Sequence, residues 1–238
     1  MTKTPPMPLT KEEKDKILME ARAESDYDYI LFSILVTTGR RIGELYGLQT
    51  KIRKKTPKFT GEKKVFYIEG KRMLVDKTIT QYKPVNEWLY GVKVNDIDFK
   101  RGVMAVWVLK RRKYTQDETI LLPEILELLR FYIKKEQLKD EDYVFRRKGR
   151  NYRNINNVLR KYARKAGLQT YKQVGEQKLN LSVHSFRHYF VTELLRKGWA
   201  NERIAVLTGH KKLDTLRIYS HIVPEDIKDE YLEAARKI

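Results

Sequence analysis

The forty residues from Ser182 to His221, SVHSFRHYFVTELLRKGWANERIAVLTGHKKLDTLRIYSH, restrict this chain more than any other stretch. All four histidines of the protein (His184, His188, His210 and His221) fall inside it, together with Arg187 and Tyr219. Val183 to Lys197 carries Phe186, Phe190, Leu194 and Leu195 at helical spacing and stops at Gly198, a usual helix terminator. On that helix His184, Arg187 and His188 lie three and four residues apart, so they share a face. Asn201 is placed to cap a second short helix through Leu207, which ends at Gly209 and presents His210. Asp214 is placed to cap a third, carrying Tyr219. Three short helices in this order can converge His, Arg, His and Tyr on one point.

An arginine, histidines and a tyrosine without a carboxylate cluster suit one chemistry well. A tyrosine of ordinary pKa near ~10 is a poor base but a usable nucleophile if its phenolate is stabilised as it attacks. Arginine is shaped to hold two phosphate oxygens at once, and histidine hydrogen-bonds or moves protons near neutral pH. The set fits covalent attack on a phosphodiester. A metal reading of His184 and His188 is the competitor, but a zincin helix needs Glu where this chain has Ser185, and no third ligand is evident. No metal and no cofactor are therefore expected.

HxxRH, then LTGH, then TxxxYSH, in this order and spacing, resembles the C-terminal half of the catalytic domain of the tyrosine recombinases, the phage-integrase-like enzymes. The resemblance implies a mainly α-helical domain with a small antiparallel sheet (α+β). It implies a nucleophile at Tyr219, phosphate-binding roles for Arg187 and His210, and proton-transfer assistance from His184, with His188 and His221 as supporting groups. It also implies an upstream arginine. Thr37 to Leu48, TTGRRIGELYGL, resembles the family's first box. Aligning its Gly and Glu-Leu pair makes Arg41 the second catalytic arginine and Glu44 its supporting carboxylate, with Arg40 where the family commonly has an apolar residue.

The remaining chain is consistent with a DNA-binding enzyme. At 238 residues it can bury a sizeable core, and a formal net charge of +19 points to a polyanionic partner, double-stranded DNA first. The Lys/Glu-rich surface of a heat-stable protein is the alternative, but ion-pair networks need both signs and do not explain so large an excess of bases. The absence of cysteine removes disulfides, thiolate catalysis and cysteine-ligated zinc. With no signal peptide or long apolar span, the expectation is a cytoplasmic protein without membrane contact, of a prokaryote or encoded by a virus or plasmid.

Residues 1–9 are Pro-rich and read as an arm or linker remnant, followed by a catalytic domain over 10–238. Thr10 and Glu13 form a capping-box pattern before a helix to about Ala23, and Tyr27 to Thr38 reads as a core helix ending at Gly39. The family would pass soon after Leu48 into a segment like VKVNDIDFKRGVMAVWVLK, which here begins only at Val92. About 49–91 is thus an apparent insertion, in which KVFYIEG and KRMLVDK read as paired strands turning near Glu69 and Gly70. It either tracks DNA phosphates or elaborates the domain surface. Val103 to Pro123 reads as a hairpin, VMAVWVL and TILLP flanking KRRKYTQDE. By resemblance a lysine of this hairpin protonates the departing 5′ oxygen, Lys110 first and Lys113 as its competitor. Helices are expected from Pro123, over about Tyr152 to Lys165, and after Pro224.

The resemblance implies a site-specific recombinase or integrase that cleaves and rejoins DNA through a 3′-phosphotyrosine, without metal or ATP, working as a homo-tetramer on DNA and a monomer or weak oligomer when free. The terminal helix is the candidate for exchange between neighbours. Family members usually carry a DNA-clamping domain before the catalytic one. Only the short arm precedes it here, which implies an isolated catalytic domain or an insertion that does part of the clamping. The rivals are a type IB topoisomerase and a DNA-binding protein that has kept the fold without catalysis.

Overall fold

A computed structural model describes residues 6–108, 115–146, 154–209 and 228–237, with the backbone alone at 48–57, 68, 81–88, 174 and 230. The chain divides into two compact units, one formed by residues 1–47 and 90–238 and the other by residues 48–89.

The first unit is built around α2 (Asp26–Thr38). Ten of its thirteen residues are buried, so it is apolar nearly all round, the mark of a helix enclosed by others. It packs against α1 (Lys11–Glu24), α4 (Pro123–Lys135) and α6 (Val183–Arg196), while α1 also meets α5 (Ile155–Lys165). Phe32 of α2 sits 5.5 Å from the Phe186 ring of α6 and edge-on to Tyr162 of α5 at 6.1 Å. Two buried hydroxyls of this core find the partners that burial requires. Tyr162 donates to Asp28 at 2.8 Å, and the Tyr27 hydroxyl donates to the Phe145 carbonyl at 2.7 Å.

Local signals fix most helix ends. The Thr10–Glu13 capping box forms and starts α1 at Lys11. Pro123 opens α4. α7 (Asn201–Thr208) departs from expectation in its cap: Ala200 holds the N-cap position without a side-chain bond and Asn201 lies inside the helix. The arm is partly core, since Met7 and Leu9 are buried and the Met7 N–H donates to the Asn180 carbonyl at 3.1 Å. Asn180 ends a small hairpin, β6 (Tyr171–Val174) with β7 (Gln177–Asn180), that no sequence signal singled out. The last helix, α8 (Lys228–Arg236), packs on its own unit. Its buried Tyr231 donates to the Thr37 carbonyl and faces Phe190 at 6.4 Å.

A three-stranded antiparallel sheet, β3 (Ile97–Asp98), β4 (Val103–Val108) and β5 (Thr115–Ile120), completes the unit. Its register corrects the expected hairpin. TQDE belongs to the second strand, not to the turn, with Thr115 opposite Val108 and Glu118 opposite Ala105. The acids are tolerated there because arginines meet them. Arg101 grips Glu118 with two 2.8 Å bonds, and Asp117 faces Arg40.

The chain leaves this unit after α3 (Ile42–Tyr46) and returns at Tyr90, and the two ends are held together. Val92 N–H donates to the Leu45 carbonyl at 3.0 Å, and a Cβ at Gly91 would stand 2.7 Å from the Tyr46 carbonyl oxygen. Closely held ends let intervening chain be accommodated at small entropic cost. The second unit is one long antiparallel ribbon, β1 (Leu48–Ile68) with β2 (Lys71–Leu89), reversing at Glu69 and Gly70, both at positive φ. The strand pair expected at its end forms there, and the pairing continues through the basic run and the tail that the sequence left unassigned.

Candidate active site

Three segments far apart in sequence meet at the end of α2. The first is the turn Gly39–Arg41. Gly39 closes α2 in the left-handed conformation (φ 61°), with its N–H on the Leu35 carbonyl. A Cβ there would lie 2.4 Å from the Phe190 ring and 3.0 Å from Thr208, so the position needs glycine for both backbone and space. Gly39→Ala is expected to cost about 2–4 kcal/mol of stability, from left-handed strain plus the clash, read as a lowered melting temperature.

Arg41 then takes the N-cap position of α3. Its guanidinium bonds Glu44 Oε1 at 3.0 Å, while Glu44 Oε2 accepts the Arg41 backbone N–H at 3.2 Å. Glu44 is buried and Arg41 partly open. The carboxylate therefore fixes the arginine by two bonds and leaves part of its guanidinium facing outward.

The second segment is α6. Arg187 is buried, and its Nη1 donates to the Gly39 carbonyl at 2.6 Å and the Thr208 carbonyl at 2.8 Å. One nitrogen thus ties the ends of α2 and α7 to α6. The other, Nη2, is buried with no hydrogen-bond acceptor among the described residues. Burial lowers the Arg187 pKa to about 10, and Arg41 presses the same way while Glu44 opposes it. The group stays charged near neutrality. A buried cation with an unused donor, beside a second cation, is a site prepared for an anion.

On the same helix His184 and His188 are exposed. His188 holds its proton less tightly than an ordinary histidine, first through partial desolvation and then through the Arg187 charge. Ser185 is fully buried, and its hydroxyl accepts the Ser182 N–H at 3.3 Å. Among the described residues no three His, Asp or Glu side chains gather as a metal site.

The third segment is the end of α7, where Gly209 (φ 63°) caps the helix. Lys110, Lys113, His210, Tyr219 and His221 lie outside the described residues. Arg41, Glu44, Arg187 and the two exposed histidines are the part of the expected set that can be located.

Nothing in the sequence assigns Arg40 a task, yet it is central. Its side chain is fully buried, with Nη2 on the Glu118 carbonyl at 2.7 Å and Nη1 3.7 Å from Asp117 Oδ2. A Cβ at Gly209 would come within 3.1 Å of the same Nη1. Arg40 therefore joins the arginine turn to β5 and to the end of α7. Desolvation depresses its pKa, opposed by Glu44 and Asp117. The one visible clue was an acid pair, Asp117 and Glu118, in a segment otherwise of strand character.

The description "Phage integrase family" matches residues 85–225. The tyrosine recombinase XerA of Pyrococcus furiosus is 28% identical over 148 residues, 59% of this chain and 46% of the relative. XerA of Saccharolobus solfataricus is 33% identical over 150 residues, 61% of this chain and 44% of the relative. The chain spans under half the length of both curated relatives. A crystal structure of XerA recombinase superposes on 96% of this chain and 64% of its own, with a TM-score of 0.56 at 21% identity. A lambda integrase(75-356) dimer bound to a COC' core site covers 90% of this chain and 61% of its own, with a TM-score of 0.53 at 18% identity. These likenesses concern the fold alone, an α+β arrangement of helices with small antiparallel sheets. With more than half of its residues matched by the family description, and the same fold, the chain belongs to the phage integrase family of tyrosine recombinases.

Proposed function

We propose that this chain is the catalytic domain of a site-specific DNA recombinase that cleaves and rejoins strands through a 3′-phosphotyrosine. The observation that carries the reading is Arg187 Nη2, a buried donor without an acceptor among the described residues, set beside a partly open Arg41. A phosphodiester supplies the acceptors the two guanidinium groups lack.

In the reaction the Tyr219 oxygen forms a bond to phosphorus while the bond from phosphorus to the 5′ oxygen breaks. Arg41 and Arg187 hold the non-bridging oxygens and offset the charge that grows on them, and His210 hydrogen-bonds the phosphate. His184 assists removal of the phenolic proton, and Lys110, or Lys113 in its place, protonates the departing 5′ oxygen. Glu44 orients Arg41, while His188 and His221 support the site. The ester energy stays in the tyrosine linkage, so a new 5′ hydroxyl can reverse the step without ATP, and two guanidinium groups supply the charge that a metal would.

The partner is duplex DNA, and the working assembly a tetramer of recombinase chains across two sites. No described helix is long and apolar enough to cross a membrane. Relatives named as recombinases favour strand exchange over the relaxation carried out by a type IB topoisomerase. The test is trapping. With suicide duplexes carrying candidate sites the protein is expected to form an adduct that survives denaturation, and with two such sites recombinant products are expected. An active site-bearing substrate that yields no adduct would sink the enzyme reading, and relaxation without recombinants would favour the topoisomerase.

A further inference from the structure

We infer that the ribbon of residues 48–89 is a second DNA-binding element, one that inserts into a groove of the duplex. The inference rests on the DNA-processing reading of the site only in its choice of DNA. The ribbon supplies the rest.

An isolated two-stranded ribbon is marginal in water, because it has no face on which to bury its side chains. This one nevertheless carries large apolar residues on both faces toward its turn. By register, Phe66 opposite Met73 and Lys64 opposite Val75 share one face. Val65 opposite Leu74, Tyr67 opposite Arg72 and Lys63 opposite Asp76 share the other. All of these apolar residues are exposed, Tyr67 to 72% and Leu74 to 57%. A protein surface docked on the ribbon would cover one face and leave the other wet. A groove has two walls and covers both.

Charge selects the groove of a nucleic acid over a second copy of the chain. Between Leu48 and Leu89 there are eleven lysines and arginines against four acids. Lys77 is engaged by Glu62 at 2.6 Å. Lys58, Lys63, Lys64, Lys71 and Arg72 are exposed and outside any ion pair among the described residues. Two such ribbons repel one another, while a duplex presents phosphates on both rims and apolar sugar and thymine methyl surface between them. The major groove admits a two-stranded ribbon. At roughly 3.3 Å per residue the strands extend about 60–70 Å, longer than the rise of about 34 Å for one duplex turn. Basic side chains interspersed with apolar ones along both strands meet both kinds of surface.

The experiment uses the full chain carrying Tyr219→Phe, so that binding is read apart from cleavage. Affinity for a plain duplex is measured against salt concentration, with and without Lys63→Gln, Lys64→Gln, Lys71→Gln and Arg72→Gln together. A control with equal charge loss elsewhere carries Lys11→Gln, Lys16→Gln, Lys134→Gln and Lys139→Gln. If the ribbon is in a groove, its quadruple variant flattens the slope of log K against log salt by about 3–4, at about 0.9 per phosphate contact, and the control does not. Phe66→Ser with Leu74→Ser weakens binding several-fold at an unchanged slope. Equal slopes for wild-type and ribbon variants, or equal flattening in the control, overturn the inference. So does a dimer of the free protein that Phe66→Ser with Leu74→Ser dissolves. Failure of the recombinase reading shows separately, as a protein with Tyr219 intact that forms no adduct while the ribbon still sets the salt slope.

Discussion

Tyr219→Phe is expected to abolish the covalent adduct, lowering its formation by roughly 10⁴-fold or more, while duplex binding and thermal stability stay unchanged. The substitution removes one oxygen, and the described residues near the site offer no substitute. The chain has no cysteine. Ser185 is buried, its hydroxyl spent on the Ser182 N–H. The neighbouring phenols are held in their protonated form: Tyr231 is buried with its hydroxyl on the Thr37 carbonyl, and burial raises its pKa and that of Tyr189 on α6. A phenol whose pKa is pushed up by burial is harder to convert to the phenolate that attacks. Single-turnover trapping, with adduct resolved on denaturing gels, reads the effect directly. Persistence of adduct in the variant would place the nucleophile elsewhere.

Arg187→Lys is expected to lower single-turnover cleavage by about 10²–10³-fold, equivalent to roughly 3–4 kcal/mol of transition-state stabilisation. Lysine keeps the charge and loses the fork. Arg187 bonds two carbonyls through Nη1 and still offers Nη2 to a phosphate, whereas one ammonium must divide its donors among all three acceptors. The variant should also melt somewhat lower, since the bonds to Gly39 and Thr208 weaken. Binding of uncleaved duplex separates the two effects: a loss confined to the chemical step leaves affinity near wild type. Burial lowers the pKa of the wild-type side chain to about 10, still well above neutrality, so it is charged through pH 7–8. A cleavage rate that survives Arg187→Lys would remove this residue from the reacting centre.

Much of this architecture was legible in the chain because its signals act over a few residues. The Thr10–Glu13 box, Pro123 at the start of α4, and the glycines after α2, α6 and α7 are governed by backbone hydrogen bonds and φ preferences within a turn of where they sit. The same holds for the reversal at Glu69–Gly70 and for the placing of His184, Arg187 and His188 on one helix, which follows from spacing alone. Family membership came from short boxes in a fixed order.

What the sequence could not reveal depends on pairs brought together by the fold. Arg187 finds one of its acceptors, Gly39, 148 residues away, and nothing local to either position announces the bond. The β5 register is hidden in the sequence because Asp117 and Glu118 look like turn residues until Arg40 and Arg101 stand opposite them. Arg40 itself occupies an apolar-type position, and only tertiary contact shows a buried guanidinium joining the arginine turn, the sheet and the end of α7. The sequence determined which helices form and which chemical groups they carry. The tertiary structure decided which charges are buried against which partners, because desolvation and long-range pairing are properties of the assembled core and not of any segment within it.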